Sequence, residues 1–105
     1  MILYNITVIL DESIHDQWLQ WIEAHHIPGI MATGMFVSSR LLRVVDSPNE
    51  GITYCMQYIA EDMDKYNQYK ERFSTTLLAK HDNMFQEKFV SFTTLMEFIE
   101  TRWIL

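Results

Sequence analysis

Two histidines are the residues of this sequence best suited to acid–base chemistry. His26 follows a stretch with two tryptophans and precedes Pro28, and His81 lies late in a second helical pattern. Since imidazole exchanges protons near neutral pH, His26 is a candidate general base or acid. The alternative is that His26 caps the last carbonyls of its helix, where the helix dipole favours a cation. His81 could reach the same cleft from the other helix.

A pair formed by His26 and His81 could also ligate a metal or a haem. The sequence lacks the third ligand that a catalytic zinc site needs, and no carboxylate stands at a suitable spacing. The single cysteine, Cys55, leaves no internal disulfide and no cysteine-based zinc site, and we interpret it as a small buried hydrophobe. We therefore expect no metal and no cofactor.

A second set of candidates consists of short polar side chains in strand-like segments, which we expect on the inner face of a sheet: Asn5, Thr7, Ser38, Thr53, Gln57, Ser91 and Thr93. Apolar walls with a few hydrogen-bonding groups are typical of small-molecule sites. The alternative is that two sheets fill each other, with water molecules on these polar groups. Arg40 and Arg43 should point to opposite faces of a strand, and we expect them in ion pairs at the surface or at a dimer rim.

Hydrophobic periodicity predicts the elements that position these residues. Alternation predicts strands over residues 2–10, 35–45, 52–60 and 88–99, and the helical period predicts helices over 12–26 and 62–82. Pro28 is expected to end the first helix near His26, with His25 packed between helix and sheet. The order βαββαβ with right-handed crossovers predicts one α+β domain over residues 1–105 with a ferredoxin-like fold: a four-stranded antiparallel sheet with two helices on one face.

The sheet face without helices is expected to be too apolar for water. Its apolar residues are predicted to be Leu3, Ile9, Phe36 or Val37, Ile59, Phe89 and Leu95. A monomer rarely exposes such an area, so the sequence predicts a homodimer that pairs sheet against sheet about a two-fold axis. The apolar tail, residues 101–105, is expected to dock on the partner.

Charge and hydropathy exclude several classes of partner. The chain has 14 acidic and 8 basic side chains and a formal charge of −6, which disfavours nucleic acid and anionic membranes as partners. No apolar run approaches the roughly 20 residues of a spanning helix, and the start lacks the basic region of a signal peptide. We expect a cytoplasmic protein.

Several segments resemble a small bacterial family of unknown function, namely Trp18-Leu-Gln-Trp-Ile, His26-Ile-Pro, Met31-Ala-Thr-Gly-Met-Phe, Ile52-Thr-Tyr and Lys88-Phe-Val-Ser-Phe. That family is similar to the dimeric α/β-barrel superfamily, in which two ferredoxin-like chains pair their sheets around a shared interior. Its members include antibiotic-biosynthesis monooxygenases and ethyl-tert-butyl-ether-degradation-type proteins. In the latter group a helix ends in a His-x-Pro turn, and this implies a cleft position for His26.

The sequence supports two functional hypotheses and leaves open whether the protein is an enzyme. In the first, a homodimeric barrel binds or transforms a small apolar molecule in a cleft with His26. In the second, the paired sheets form a non-catalytic dimerisation or regulatory module with a filled interior.

Overall fold

The computed structural model describes residues 1–48 and 50–103. The elements are strand β1 (Ile2–Leu10), a 3₁₀ turn (Glu12–Ile14), helix α1 (His15–Trp21), a π turn (Ile22–His26), helix α2 (Ile27–Met31), strands β2 (Ser38–Arg43) and β3 (Ile52–Ala60), helix α3 (Met63–Tyr69), a second π turn (Lys70–Ser74), helix α4 (Thr75–Met84) and strand β4 (Phe89–Glu97). We refer to residues 12–31 as the first helical segment and to residues 63–84 as the second helical segment.

The four strands form one antiparallel sheet in the order β2-β3-β1-β4, with both helical segments on one face. This confirms the predicted ferredoxin-like fold. Alternation along the central strands decides which residues the helices cover. On β1 the even-numbered residues, from Ile2 to Leu10, are buried against the helices, and the odd-numbered residues face away from them. We call these two sides the helix-covered face and the open face.

The first helical segment runs further than predicted. Pro28 was expected to end it near His26, but the chain continues through a π turn to Met31. In this turn the Ile27 N–H donates to the Ile22 carbonyl, five residues back. Pro28 has no N–H to donate and lies at the start of α2, where a proline is tolerated. The residue before a proline usually avoids helical backbone angles, but Ile27 adopts them because the π turn continues the helix.

The π turn also changes which histidine points inward. Trp18, Ile22, His26 and Ile30 are all buried at a spacing of four residues, whereas His25 is exposed. In a regular α-helix each step of four residues drifts by roughly 40° around the axis. The i→i+5 bonds of a π turn absorb this drift and hold the stripe in line. The prediction that His25 packs between helix and sheet is wrong for this reason.

The second helical segment follows the same spacing. Its inward residues are Tyr69, Phe73, Leu77, His81 and Phe85. Met84, predicted to belong to the buried stripe, is exposed, and the segment extends to this residue rather than ending at 82. The π turn at Lys70–Ser74 again keeps a spacing of four on one side.

Strand β2 (Ser38–Arg43) is shorter than the predicted 35–45, although the N–H groups of Val37 and Val44 still donate to carbonyls of β3. Phe36 turns into the helix-covered core, where it contacts Tyr58 and Tyr69, and so it is absent from the open face. At the other end Val45 is almost fully exposed in the turn before β3.

The two sides of β4 are opposite to those predicted. Ser91 pairs with Val8 and Thr93 pairs with Ile6, so both lie on the helix-covered side, as do Phe89 and Leu95. The open face instead carries Val90, Phe92, Thr94 and Met96. Apolar residues occur on both sides of this strand, so alternation alone did not distinguish them; the register with β1 does.

The chain after β4 stays close to β1 at first. The Phe98 N–H donates to the Met1 carbonyl at 3.0 Å, and Arg102 donates to the Glu100 carboxylate. Trp103, in the tail expected to dock on a partner, is 85% exposed; Ile104 and Leu105 lie outside the described residues. Within residues 1–48 and 50–103, no helix has the length and apolar character needed to cross a membrane.

Candidate functional site

The open face carries one polar row that crosses all four strands. Arg40 of β2 pairs with Gln57 of β3, Gln57 pairs with Asn5 of β1, and Asn5 pairs with Thr94 of β4. Residues directly opposite each other in an antiparallel sheet point to the same face, so these four side chains stand in line. At a strand spacing of about 4.8 Å the row spans roughly 14 Å.

Hydrogen bonds organise the centre of this polar row. Gln57 Nε2 donates to Asn5 Oδ1 at 3.1 Å, and Asn5 Nδ2 donates to Thr7 Oγ1 at 3.0 Å. Thr7 Oγ1 in turn lies 3.6 Å from Cys55 Sγ. Each amide nitrogen carries two hydrogens and uses one in these bonds. The second N–H of each amide makes no side-chain hydrogen bond within the described residues, and Asn5 is 6% exposed in the single chain.

Apolar residues flank the polar row on both sides. One neighbouring row contains Leu42, Cys55, Thr7 and Phe92, and the other contains Ser38, Ile59, Leu3 and Met96. Phe92 is 56% exposed and Val90, one row further, is 62% exposed. A shallow pocket of about 390 Å³ lies at the end of the face beside Leu3, Met96 and Phe98. The open face therefore combines apolar walls with hydrogen-bonding groups.

Arg40 and Arg43 lie on opposite faces of β2, as their spacing predicted. Arg40 stands beside Gln57 on the open face, and Arg43 pairs with Tyr54 on the helix-covered side. Within the described residues Arg40 makes neither a hydrogen bond nor an ion pair. Among the strand positions of the open face that the structure describes, it is the one charged side chain.

The two candidate histidines meet behind the sheet, in the helix-covered core. Their ring centroids are 5.5 Å apart, with Trp21, Phe85 and Phe89 around His81. The indole Nε1–H of Trp18 donates to His81 Nε2 at 2.8 Å. Because an indole N–H only donates, Nε2 is the acceptor and the His81 proton lies on Nδ1, which donates to Asp82 Oδ1 at 3.0 Å. Both ring nitrogens of His81 are thus occupied.

His26 is held by packing alone. It is 3% exposed and stacks on Trp21 with a centroid separation of 5.2 Å, and within the described residues neither of its ring nitrogens forms a hydrogen bond. The pKa of His26 is lowered to about 4, chiefly by burial and secondarily by the neighbouring His81, while Asp82 opposes the shift. His26 is therefore a neutral ring at pH 7.

The structure divides the sequence candidates between the two faces. Asn5, Thr7 and Gln57 are bonded to one another on the open face, and Ser38 lies in the adjoining row. Thr53 is also on the open face, buried, with its hydroxyl 3.3 Å from that of Ser47. His26 and His81 come together on the other side of the sheet, and Ser91 and Thr93 also face that side. Across the described residues, no group of three or more His, Cys, Asp or Glu side chains is arranged to hold a metal ion.

Sequence reasoning expected Arg40 in an ion pair at the surface or at a dimer rim, which the described residues do not show, and it did not consider Thr94. The missing signal was the register between strands. Once β2 and β3 pair around their hairpin, Arg40 falls opposite Gln57, and the β1 pairings then bring Asn5 and Thr94 into the same row. Alternation gives the face of each residue but not its level along the sheet.

Residues 1–99 match the family model described as domain of unknown function DUF4286. The chain belongs to the DUF4286 family. By sequence, no curated protein matches it.

Several solved structures share the fold at low sequence identity. SnoaB from Streptomyces nogalater, described as a cofactor-independent oxygenase, has a TM-score of 0.69 at 16% identity over 95% of each chain. A dimeric ferredoxin-like protein from an uncultured marine organism has a TM-score of 0.70 at 12% identity over 99% of this chain and 100% of that one. An ethyl tert-butyl ether degradation family protein from Bacillus halodurans has a TM-score of 0.66 at 11% identity over 94% of this chain and 100% of that one. The DUF4286 chain is thus similar in fold to ferredoxin-like proteins of the oxygenase type.

Proposed function

We propose that two copies of the DUF4286 chain pair through their open faces and bind a small, largely apolar molecule between the sheets. The observation that carries this proposal is the polar row of Arg40, Gln57, Asn5 and Thr94 between rows of exposed apolar side chains. A face that only needed to be covered would gain nothing from amides with unused N–H groups at its centre, since burying them unpaired is unfavourable.

Pairing of two copies is supported by the extent of apolar surface on this face. Leu42, Val90, Phe92 and Met96 are all at least 40% exposed in the single chain. Contiguous apolar patches beyond a few hundred Å² mark interaction sites in soluble proteins. One of the structurally similar proteins is described as dimeric, and a two-fold pair of sheets would cover the same patch on both copies. The tail around Trp103 is exposed in the single chain and would dock in the same event.

A pocket between the sheets is supported by the composition of the face. Apolar walls provide most of the binding free energy of a small molecule, and a few polar groups fix its orientation. Asn5, Thr7, Gln57 and Ser38 supply such groups. SnoaB is described as a cofactor-independent oxygenase, and the similarity supports a site that binds its molecule without a resident cofactor. Whether the bound molecule is also transformed is the next question for this site.

His26 does not line this pocket in our proposal. It lies behind the sheet, buried against the rings of Trp21 and His81. We propose that both histidines stabilise the packing of the helices on the sheet and that any reaction uses groups of the open face. Ser91, on the covered side of β4, is likewise outside the pocket.

The second candidate function is a dimerisation or regulatory module with a filled interior. The size of Phe92, Val90 and Met96 favours it, because these side chains from two copies could occupy the space between the sheets. Both functions require the dimer, but only the first requires a cavity between the two sheets.

The first experiment tests the dimer. The chain of 12.5 kDa should scatter light as a particle of twice this mass at micromolar concentration. Phe92→Asp places a carboxylate in the proposed interface and should weaken association roughly 100-fold or more. Met84→Asp is the matched control, since Met84 is an exposed apolar residue on α4, away from the open face, and this variant should remain dimeric. A monomeric wild type would contradict the proposal.

The second experiment separates the pocket from the filled interior. Native mass spectrometry of the full chain, purified from its own cells, should show a dimer that retains a small molecule, and Phe92→Asp should lose it. A dimer that retains nothing and excludes small apolar probes would favour the regulatory module.

We also propose a cytoplasmic location. Cys55 has no second cysteine with which to form a disulfide, and a free thiol is typical of proteins in reducing compartments. A fusion to a fluorescent protein, expressed in the native cells and fractionated, tests this; recovery in the membrane or secreted fraction would contradict it.

A further inference from the structure

We infer that the molecule bound between the sheets is an anion, an apolar body carrying one oxyanion such as a carboxylate, and that Arg40 binds the oxyanion. The inference rests on the proposed pocket and adds the chemical class of its ligand. It starts from the position of Arg40 at one end of the polar row, next to Gln57.

The charge distribution of the chain is the first argument. The protein has a formal charge of −6, with 14 acidic side chains, yet none of them occupies a strand position of the open face in the described residues. Glu97, the acidic residue within β4, pairs with Ile2 and lies on the helix-covered side. The strand positions of this face therefore present no carboxylate to an anion, although Glu97 and Glu100 line the shallow pocket at its end beside Leu3 and Met96.

The unpaired state of Arg40 is the second argument. Its guanidinium has five N–H donors and no acceptor, and it makes no hydrogen bond or ion pair within the described residues. Arg40 is exposed on the edge strand β2 in the single chain, and a second sheet that extends over this strand would remove the guanidinium from water. A cation in such a place is costly without a partner of opposite charge. An oxyanion on the ligand supplies that partner, and the planar guanidinium suits bidentate binding of a carboxylate.

The neighbouring amides extend this site for an oxyanion. Gln57 Nε2 and Asn5 Nδ2 each carry a second hydrogen beyond the one donated to Asn5 Oδ1 or Thr7 Oγ1, and this second hydrogen is not used within the described residues. One end of the row thus offers charged and neutral donors together. The flanking rows, with Leu42 and Phe92 on one side and Ile59 and Met96 on the other, would contact the apolar body.

A matched pair of probes tests the inference: 2-naphthoate, which is an anion at pH 7, and 2-naphthamide, which is neutral and nearly the same shape. Calorimetric titration of the wild-type protein should show that naphthoate binds roughly 10- to 100-fold more tightly than naphthamide, the range expected for a charge-assisted hydrogen bond. Arg40→Gln should remove this difference by weakening naphthoate binding, with a much smaller loss for naphthamide. Arg43→Gln, which makes the same change of charge on the same strand but on the opposite face, should preserve it.

The outcomes separate this inference from the proposed pocket. If both probes bind the wild type equally, or if Arg40→Gln keeps the preference for naphthoate, the pocket stands and the anion inference is wrong. If neither probe binds the wild-type dimer at millimolar concentration, the pocket proposal fails and the inference fails with it. Light scattering of each variant adds one further check. Dissociation of the dimer by Arg40→Gln alone would indicate that Arg40 pairs with a carboxylate of the partner copy, and this would overturn the inference.

Discussion

In the helix-covered core, His81 has both ring nitrogens bonded within the chain, while His26 and the Tyr58 hydroxyl are enclosed without a hydrogen-bond partner in the described residues. On the open face, by contrast, a row of polar side chains crosses all four strands and ends in the exposed Arg40. Behind the sheet, Trp18 and Asp82 occupy both nitrogens of His81. In front of it, Asn5 and Gln57 each retain an N–H, and Arg40 has no partner within the described residues. The two faces share the same strands, so the contrast comes from the side chains alone. The covered core closes its polar groups off from other molecules, whether or not they are bonded, and the open face leaves polar groups within reach of a partner.

This contrast identifies the open face as the place to look for function. His26 and His81, the residues best suited to acid–base chemistry, lie on the helix-covered face. Asn5, Gln57 and Arg40, which belong to no recognisable sequence motif, lie on the open face. The following predictions test each half of this comparison.

The largest effect is expected at Trp18, which is completely buried and donates to His81. Trp18→Ala should lower the free energy of unfolding by about 4 to 5 kcal/mol, because it leaves a cavity and an unpaired imidazole nitrogen. Trp18→Phe, which keeps a ring, should cost about 2 kcal/mol for the lost hydrogen bond and the smaller cavity. Urea unfolding followed by circular dichroism measures both.

The matched control for Trp18 is the same substitution at Trp103, which is 85% exposed. Trp103→Ala should change the stability of the dissociated chain by less than about 0.5 kcal/mol. Equal losses of unfolding free energy at Trp18 and Trp103 would mean that Trp18 is not buried in the helix-covered core.

A pH effect of intermediate size is expected at His26. Its pKa is about 4 in the folded protein against an ordinary value of 6.5, so below pH 6.5 the unfolded chain takes up a proton that the folded chain refuses. Stability therefore falls as the pH drops from 6.5 towards 4 and is unaffected by this group above that range. Between pH 7 and 4.5 the wild type should lose about 2 to 3 kcal/mol more than His26→Gln.

His25 provides the control, because it is adjacent in sequence and exposed. Urea unfolding of His25→Gln should show the same dependence on pH as the wild type. If His26→Gln loses as much stability on acidification as His25→Gln does, His26 is not buried as a neutral ring.

His25 and His26 also show which parts of the fold could be predicted from the sequence. Element order, the alternation on β1 and β3 and the two helical patterns were enough to predict the ferredoxin-like fold, because burial of one strand face and one helix stripe is a repeating signal. His25 was predicted to be buried, whereas His26 is the buried residue, and the error arose because a constant period of 3.6 residues per turn was assumed. A spacing of four, from Trp18 to Ile30 and from Tyr69 to Phe85, was visible in the sequence and indicates π turns.

The candidate site was less predictable for a different reason. Asn5, Thr7 and Gln57 could be assigned to the open face because alternation on the central strands was clear. Ser91 could not, since apolar residues occur on both sides of β4. The role of Arg40 depends on its level along the sheet, and that level is a property of strand pairing between segments far apart in sequence.

On the open face, the expected effect of a single truncation is smaller. Asn5→Ala removes an acceptor from Gln57 and a donor from Thr7, and it should lower the free energy of unfolding by about 1 to 2 kcal/mol. It should also weaken naphthoate binding by roughly 3- to 10-fold, since one donor of the row is lost. Ser91→Ala, on the other side of the sheet, should leave naphthoate affinity unchanged. A loss of affinity in Ser91→Ala equal to that in Asn5→Ala would contradict the assignment of the pocket to the open face.

The smallest effects are expected at two tyrosines of β3, and they test how completely the polar groups of the helix-covered core are hydrogen-bonded. Tyr54 and Tyr58 both lie on the helix-covered side. The Tyr54 hydroxyl lies 2.8 Å from His15 Nε2, but the Tyr58 hydroxyl is buried without a hydrogen-bond partner in the described part of the chain, and burial raises its pKa. Tyr54→Phe should therefore cost about 1 kcal/mol of stability, and Tyr58→Phe should be neutral or stabilise by up to about 1 kcal/mol. Thermal and urea unfolding of the two variants measure the difference. If Tyr58→Phe is the more destabilising change, its hydroxyl has a partner such as a buried water molecule, and the covered core is more completely bonded than the protein atoms alone indicate.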